Sequence, residues 1–152
     1  MLWSSNYELG RSDLTDAVVE EFWHGVEQFN QGQFYACHDT LEALWIEATE
    51  PQKTFYQGIL QIAVALYHLG NANWRGAVIL LGEGINRLRR YPATFSGIDL
   101  DELLSQSAAL LTALQQAGSE NISDWVMGNG MLTMENVAFP LPNIIRVDAK
   151  KI

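Results

Sequence analysis

The sequence predicts an all-α fold, a compact bundle of about five helices built from antiparallel hairpins, followed by an extended C-terminal arm. Three observations carry this. Apolar residues recur at spacings of three and four through most of the first 118 positions. Glycine, asparagine and proline interrupt that pattern at intervals suited to helix ends. The links between the first four periodic segments are short, and short links make neighbouring helices antiparallel.

The first helix is expected from about Asp13 to Gln31, capped by Ser12 or Asp13, with Leu14, Val18, Phe22, Gly25, Val26 and Phe29 at helical spacing and Gly32 as its stop. The second runs from about Phe34 to Thr49, on a stripe of Phe34, Cys37, Leu41, Leu44, Trp45 and Ala48, before Pro51. The third spans Gln52 to Leu69 and ends at Gly70-Asn71. The fourth spans about Trp74 to Arg90, and Pro92 forbids its continuation. Gly76, Gly82 and Gly84 inside it each cost about 1 kcal/mol against alanine, which points to another backbone approaching closely. The fifth runs from Leu100 to Ala117, with Asp99 and Glu102 in a capping-box arrangement and Gly118 at its close.

Residues 1–118 are therefore read as the bundle and 119–152 as the arm. The arm contains Gly128-Asn129-Gly130 and Pro140-Leu141-Pro142, which break helices. It also holds Trp125, Met131, Leu132, Phe139 and Ile144, too apolar for a disordered tail, so it should pack on the bundle or on a partner chain. A weak echo at an offset of 40 residues relates Gly32 to Cys37 with Ala72 to Ala77, as two hairpins with similar packing would.

Composition narrows the function classes. The net charge is −9, and nine basic residues face 18 acidic ones, so a nucleic-acid partner is not expected. The one basic cluster, Arg87, Arg89 and Arg90, suits a helix C-terminus. No run of about 18 apolar residues exists to span a membrane. Cys37 is the only cysteine, and Met1 to Arg11 lacks the character of a signal peptide. A cytoplasmic location is the resulting expectation.

The third helix is apolar nearly all round, which marks a central helix, yet Gln57, Gln61 and His68 fall within about 40 degrees of one another on it. On the second helix, His38 and Glu42 are spaced i, i+4 and share a side. If the two helices form a hairpin, these five residues can converge on a polar site. Three readings compete. One is a closed hydrogen-bond network that fixes helix register. The second is a pocket that binds or transforms a small ligand, with a histidine as acid or base and Glu42 as its orienter. The third is a metal site, although neither a His-Glu-x-x-His pattern nor paired Glu-x-x-His motifs are present, so no metal ligand is assigned. Asp39, Trp45, Asn73 and Trp74 are secondary candidates. His24 is expected to face solvent, and Cys37 to be an inert core thiol.

The run from Phe34 to Trp45 resembles the signature F-x-x-x-H-E-x-L-E-x-x-W, with Asp39 where that signature has Glu. Phe55 to Ala63, then Tyr67-His68, then Asn73 to Ala77 resemble a second block of the same family, the domain of unknown function numbered 309. The resemblance covers about Phe29 to Leu88. It implies a small all-helical protein of the kind found in bacteria, archaea and plastids, and it places His38, Glu42, Trp45, Gln57, Gly58, Gln61, His68, Asn73 and Gly76 at motif positions. It implies no particular activity or cofactor. The shorter Asp39 carboxylate, the fifth helix and the arm depart from the pattern or lie outside it.

The expectation for function is a non-enzymatic helical domain that binds a protein partner or associates with its own copy. The alternative is a ligand-binding protein or enzyme working through the His38, Glu42, Gln57, Gln61 and His68 site, with or without a metal ion.

Overall fold

The computed structural model describes residues 2–147, with side chains from Thr15 onward. Five helices follow in order: α1 (Leu2–Asn30), α2 (Phe34–Glu47), α3 (Gln52–Gly70), α4 (Trp74–Leu88) and α5 (Leu100–Ala117). Each packs against its neighbours in sequence, so α3 lies between α2 and α4, with α1 beyond one and α5 beyond the other. The mostly helical class read from the sequence is the class observed.

Helix α1 starts at Leu2, so Ser12 and Asp13 lie inside it and not at its N-terminus; their side chains lie outside those described. The chain has no proline before Pro51, and the roughly 1 kcal/mol cost of Gly10 is too small to end a helix. The ends of α2 and α4 fall two residues short of the expected ones, at Glu47 and Leu88. Asp99 does cap α5, its Oδ1 accepting the Glu102 N–H at 3.0 Å. The reciprocal half of the box is not formed, because the Asp99 N–H donates to the Ile145 carbonyl instead.

The echo at offset 40 has a structural basis. The α1–α2 and α3–α4 turns close in the same way, with Gln33 N–H donating to Gln28 O and Asn73 N–H to His68 O. These are the six-to-one bonds of a Schellman closure, which needs a left-handed residue just before the donor. Gly32 (φ 78°) fills that position in the first turn and Ala72 (φ 58°) in the second.

The core is one cluster. Phe22, Val26 and Phe29 come from α1, Cys37 and Leu41 from α2, Phe55, Ile59, Ile62 and Leu66 from α3, Leu81, Ile85 and Leu88 from α4, and Leu103, Leu110 and Leu114 from α5. At the α3–α4 crossing, a Cβ on Gly84 would stand 2.8 Å from the Gly58 carbonyl oxygen. That is the close backbone approach the glycine-rich α4 suggested. Gly82 has no such role, since a Cβ there would meet only Leu111 Cδ2, at 3.9 Å.

The C-terminal segment is more ordered than a simple arm. After a short hairpin between α4 and α5 (β1 Thr94–Phe95, β2 Ile98–Asp99), residues beyond α5 form an antiparallel meander of β3 (Val126–Gly128), β4 (Met131–Met134) and β5 (Val137–Pro140). Asn129 and Gly130, both at positive φ (52° and 73°), make the two-residue turn that a right-twisted hairpin favours. Leu132 of β4 is buried, and the chain then runs extended along the bundle, where Ile144 is buried. Asn30 clamps it, its Nδ2 donating to Ile144 O at 2.9 Å and its Oδ1 accepting Ile144 N–H at 2.8 Å.

Candidate functional site

Two ring contacts fix the register of the α2–α3 hairpin. Tyr35 meets Tyr67 with centroids 5.1 Å apart, and the Lys53 ammonium lies 4.3 Å above the Trp45 ring. At 1.5 Å rise per residue on antiparallel helices, this sets Glu42 level with Gln57, and His38 level with Gln61 and Val64. On the other side of α3, Gly58 meets Gly84 and His68 meets Gly76. The polar motif positions thus share one three-helix layer, α2–α3–α4.

They do not close into one interior network. Gln61 is the buried member, 8% exposed. Its partners are on α4: its Nε2 donates to Glu83 Oε2 at 3.2 Å, and its Oε1 accepts from Arg87 Nε at 2.9 Å. Arg87, from the basic cluster, is therefore a structural partner as well as a C-terminal charge. Gln57 and His68 are half-buried. The Asn73 Nδ2 donates to His68 Nδ1 at 3.3 Å, which leaves the ring proton on Nε2. The Asn73 Oδ1 accepts the Gly76 N–H at 2.9 Å and caps α4. A Cβ on Gly76 would collide with this pair, lying 2.7 Å from Asn73 Nδ2.

On α2, His38 is held between two carboxylates, with Nδ1 3.2 Å from Asp39 Oδ1 and Nε2 3.1 Å from Glu42 Oε2. The short Asp39 side chain reaches its own neighbour, so its reduced length costs it nothing here. The two carboxylates lie at opposite nitrogens and do not converge on a point. Accordingly, no group of three or more His, Cys, Asp or Glu among the described residues is placed to hold a metal ion. Each ring nitrogen of His38 faces a carboxylate oxygen, and a neutral ring donates to only one of them.

The secondary candidates divide. Trp74 is structural, its Nε1 donating to Leu114 O at 2.9 Å and tying α4 to α5. Trp45 lies under Lys53, whose Nζ also donates to the Trp45 carbonyl at 2.8 Å. The buried Trp45 Nε1 has no partner among the described residues. His24 is exposed, as its position away from the apolar stripe implied.

Burial pushes the Cys37 thiol up to about 12 from an ordinary 9. The nucleophile is the thiolate, so a thiol with that pKa and 0% exposure is inert. Alkylation by iodoacetamide at pH 8 is expected to be at least about a hundredfold slower for the folded chain than for the chain in denaturant. The neutral thiol also ties stability to pH: the contribution is intact below pH 9 and is lost as pH rises from there towards 12.

The structure adds residues that periodicity passed over. Tyr35, Ile46 and Tyr67 are 55%, 58% and 38% exposed, although large and apolar. Tyr35, Asp39, Glu42 and Ile46 are spaced i, i+4, i+7, i+11 and so form one outward stripe on α2. Ring contacts run His38–Tyr35–Tyr67–His68 and link the two histidines across the hairpin. The signal was present in the sequence as large apolar residues on the face opposite the Phe34-Cys37-Leu41-Leu44 stripe.

No helix among the described residues is long and apolar enough to cross a membrane. Two curated relatives match the chain. One is an uncharacterized protein of Aquifex aeolicus (strain VF5), 29% identical over 76 residues, which are 49% of this chain and 23% of the relative. The other is the uncharacterized protein YpuF of Bacillus subtilis (strain 168), 33% identical over 69 residues, 45% of this chain and 40% of the relative. The chain thus spans well under half the length of either. The region from the buried half of α1 to the middle of α4, which carries every polar candidate, matches a family model described as "Domain of unknown function (DUF309)" over residues 22–80. Over that region the chain is similar to the DUF309 family.

Proposed function

We propose that this chain is a non-enzymatic binding module whose outward α2–α3 face docks a basic, apolar-anchored segment of a partner protein. The observation that carries the reading is the exposure of Tyr35, Ile46 and Tyr67 around Asp39 and Glu42. Exposed aromatic and aliphatic anchors among fixed charges are the composition of a recognition surface. The His38 ring lies within 3.2 Å of both carboxylates and donates its N–H to one of them, which helps to preorganise that acidic group for binding.

Charge selects the partner. A face bearing Asp39 and Glu42 on a chain of net charge −9 attracts Lys and Arg. It repels a second copy of itself, which favours a different protein over self-association. The matched region occupies only 23% and 40% of the two relatives, as a module used within longer chains would.

Calorimetry with two synthetic amphipathic peptides of equal length, one of Lys and Leu and one of Glu and Leu, tests this. The Lys peptide is expected to bind and the Glu peptide not to bind. Tyr35→Ser with Ile46→Ser should weaken binding about tenfold or more, the effect of losing anchor residues. Glu20→Gln with Glu27→Gln, which removes two charges from α1 and leaves the α2–α3 face intact, should change it less than threefold. Equal losses in both double variants would mean that the acidic surface binds cations unspecifically, and the reading would fail.

A further inference from the structure

The acidic face of α2 carries its own proton acceptor. The His38 ring lies between the two carboxylates of that face, with Nδ1 3.2 Å from Asp39 Oδ1 and Nε2 3.1 Å from Glu42 Oε2. A neutral imidazole has one N–H, so it donates to one carboxylate and turns a lone pair towards the other. A second ring proton removes that mismatch, because imidazolium has an N–H at both nitrogens. The side chain is 23% exposed, so water can deliver the proton.

Protonation changes the charge of the face. With a neutral ring, Asp39 and Glu42 present two negative charges among the exposed Tyr35, Ile46 and Tyr67. With a cationic ring the sum falls to one, and the ring faces both carboxylates with an N–H. A Lys or Arg of a partner then meets a competitor for the same oxygens.

The groups around the ring leave this effect to His38. From α3, uncharged Gln61 lies level with it, and Tyr67 reaches it through Tyr35, with His68 next in the chain of rings. A proton on His68 Nδ1 would displace the hydrogen bond from Asn73. Lys53 of α3 is engaged at Trp45, about two turns further along α2. Glu83 and Arg87 of α4 are partners of Gln61. Helix α1 meets α2 at Thr40, bonded to Gln28, about 200 degrees around α2 from His38. Its titratable His24 and Glu27 are exposed beside that contact, and Glu27 accepts from Gln31.

We infer that His38 is a proton-operated release device for the α2–α3 face: its protonated ring competes with a basic partner for Asp39 and Glu42, so acidification loosens the complex. This rests on the proposed docking of a basic segment at that face. The sign follows from linkage. Affinity is full where the ring is neutral and falls with pH through the range in which histidines take up a proton, from about pH 8 to about pH 5.

Calorimetry with the Lys and Leu peptide at pH 7.5 and pH 5.5 tests this, since the peptide's lysines are charged at both. Affinity should be about threefold to fivefold lower at pH 5.5, the size of one exposed charge pair. At pH 6.5 binding should release a fraction of a proton, read as a difference in heat between two buffers of unlike ionisation enthalpy. His38→Gln should bind equally at the two pH values and release none. His24→Gln and His68→Gln should keep the full drop. Each comparison is a ratio within one variant, so altered stability does not imitate it. Equal affinity at both pH values in the parent chain, or a drop that survives in His38→Gln, overturns the release device and leaves the docking face standing. No binding of the peptide at either pH overturns both.

Discussion

Gly84→Ala is expected to destabilise the chain by about 2–3 kcal/mol, although alanine is the better helix former by about 1 kcal/mol. The reason is the α3–α4 crossing. A methyl group at Gly84 would lie 2.8 Å from the Gly58 carbonyl oxygen, 2.8 Å from Ile62 Cγ1 and 3.2 Å from the Ile62 nitrogen. Two of these three atoms belong to the backbone of α3, so the clash cannot be relieved by a rotamer change. The helices must separate, and Gln61 would then be drawn away from Glu83 and Arg87. Gly58→Ala meets the same crossing from α3, 2.6 Å from Leu88 Cγ. Gly82→Ala is the control. It should be neutral or stabilise by up to about 1 kcal/mol, since the new methyl makes only an ordinary contact. Urea denaturation of the three variants reads the contrast. A Gly84→Ala variant as stable as Gly82→Ala would show that the crossing is looser than described.

The second large effect is expected at Asn30. Its side chain satisfies both the donor and the acceptor of Ile144, 114 positions away. It is the polar link that holds the extended C-terminal strand against the end of α1. Asn30→Ala leaves both peptide groups of Ile144 without partners at a residue only 2% exposed. The expected cost is about 2–4 kcal/mol, from two unsatisfied groups at about 1–2 each. Hydrogen exchange should locate the loss: amides from Asn143 to Val147 should exchange much faster in the variant, while those of α3 slow or hasten only with global stability. Uniform acceleration across the chain would instead mean that strand and bundle unfold as one unit.

The helical part of the fold was legible because its signals are local. Periodicity and stop residues placed α3 and α5 within one residue of their observed ends. The start of α1 was not legible, since Ser12-Asp13 has the chemistry of a cap but nothing upstream forces one. The β-meander was missed because Gly128-Asn129-Gly130 was weighed only as a helix breaker. The Asn129-Gly130 pair between apolar segments is itself a hairpin signal.

The local pairing of the candidate residues was legible in part. The i, i+4 spacing placed His38 beside Glu42, and they do pair. Spacing along α3 put Gln57, Gln61 and His68 on one line, but it could not say which neighbour each would meet. Gln61 turns to Glu83 and Arg87 on α4, and His68 to Asn73 in the α3–α4 turn. An apolar helix with one polar line was read as wholly buried. In the structure Gln57 and His68 are half-exposed, and only Gln61 is buried, with its partners on α4. Exposed Tyr35 and Ile46 lay off the α2 stripe, and the face they form was given no role.

The most direct check on the binding-face account is a heteronuclear NMR titration of the full chain with the Lys and Leu peptide. The account predicts shifts concentrated on Tyr35, Asp39, Glu42, Ile46 and Tyr67, with the outer face of α1 and the meander unmoved. Shifts spread evenly over the acidic surface, or no shifts along α2 at saturating peptide, would contradict it.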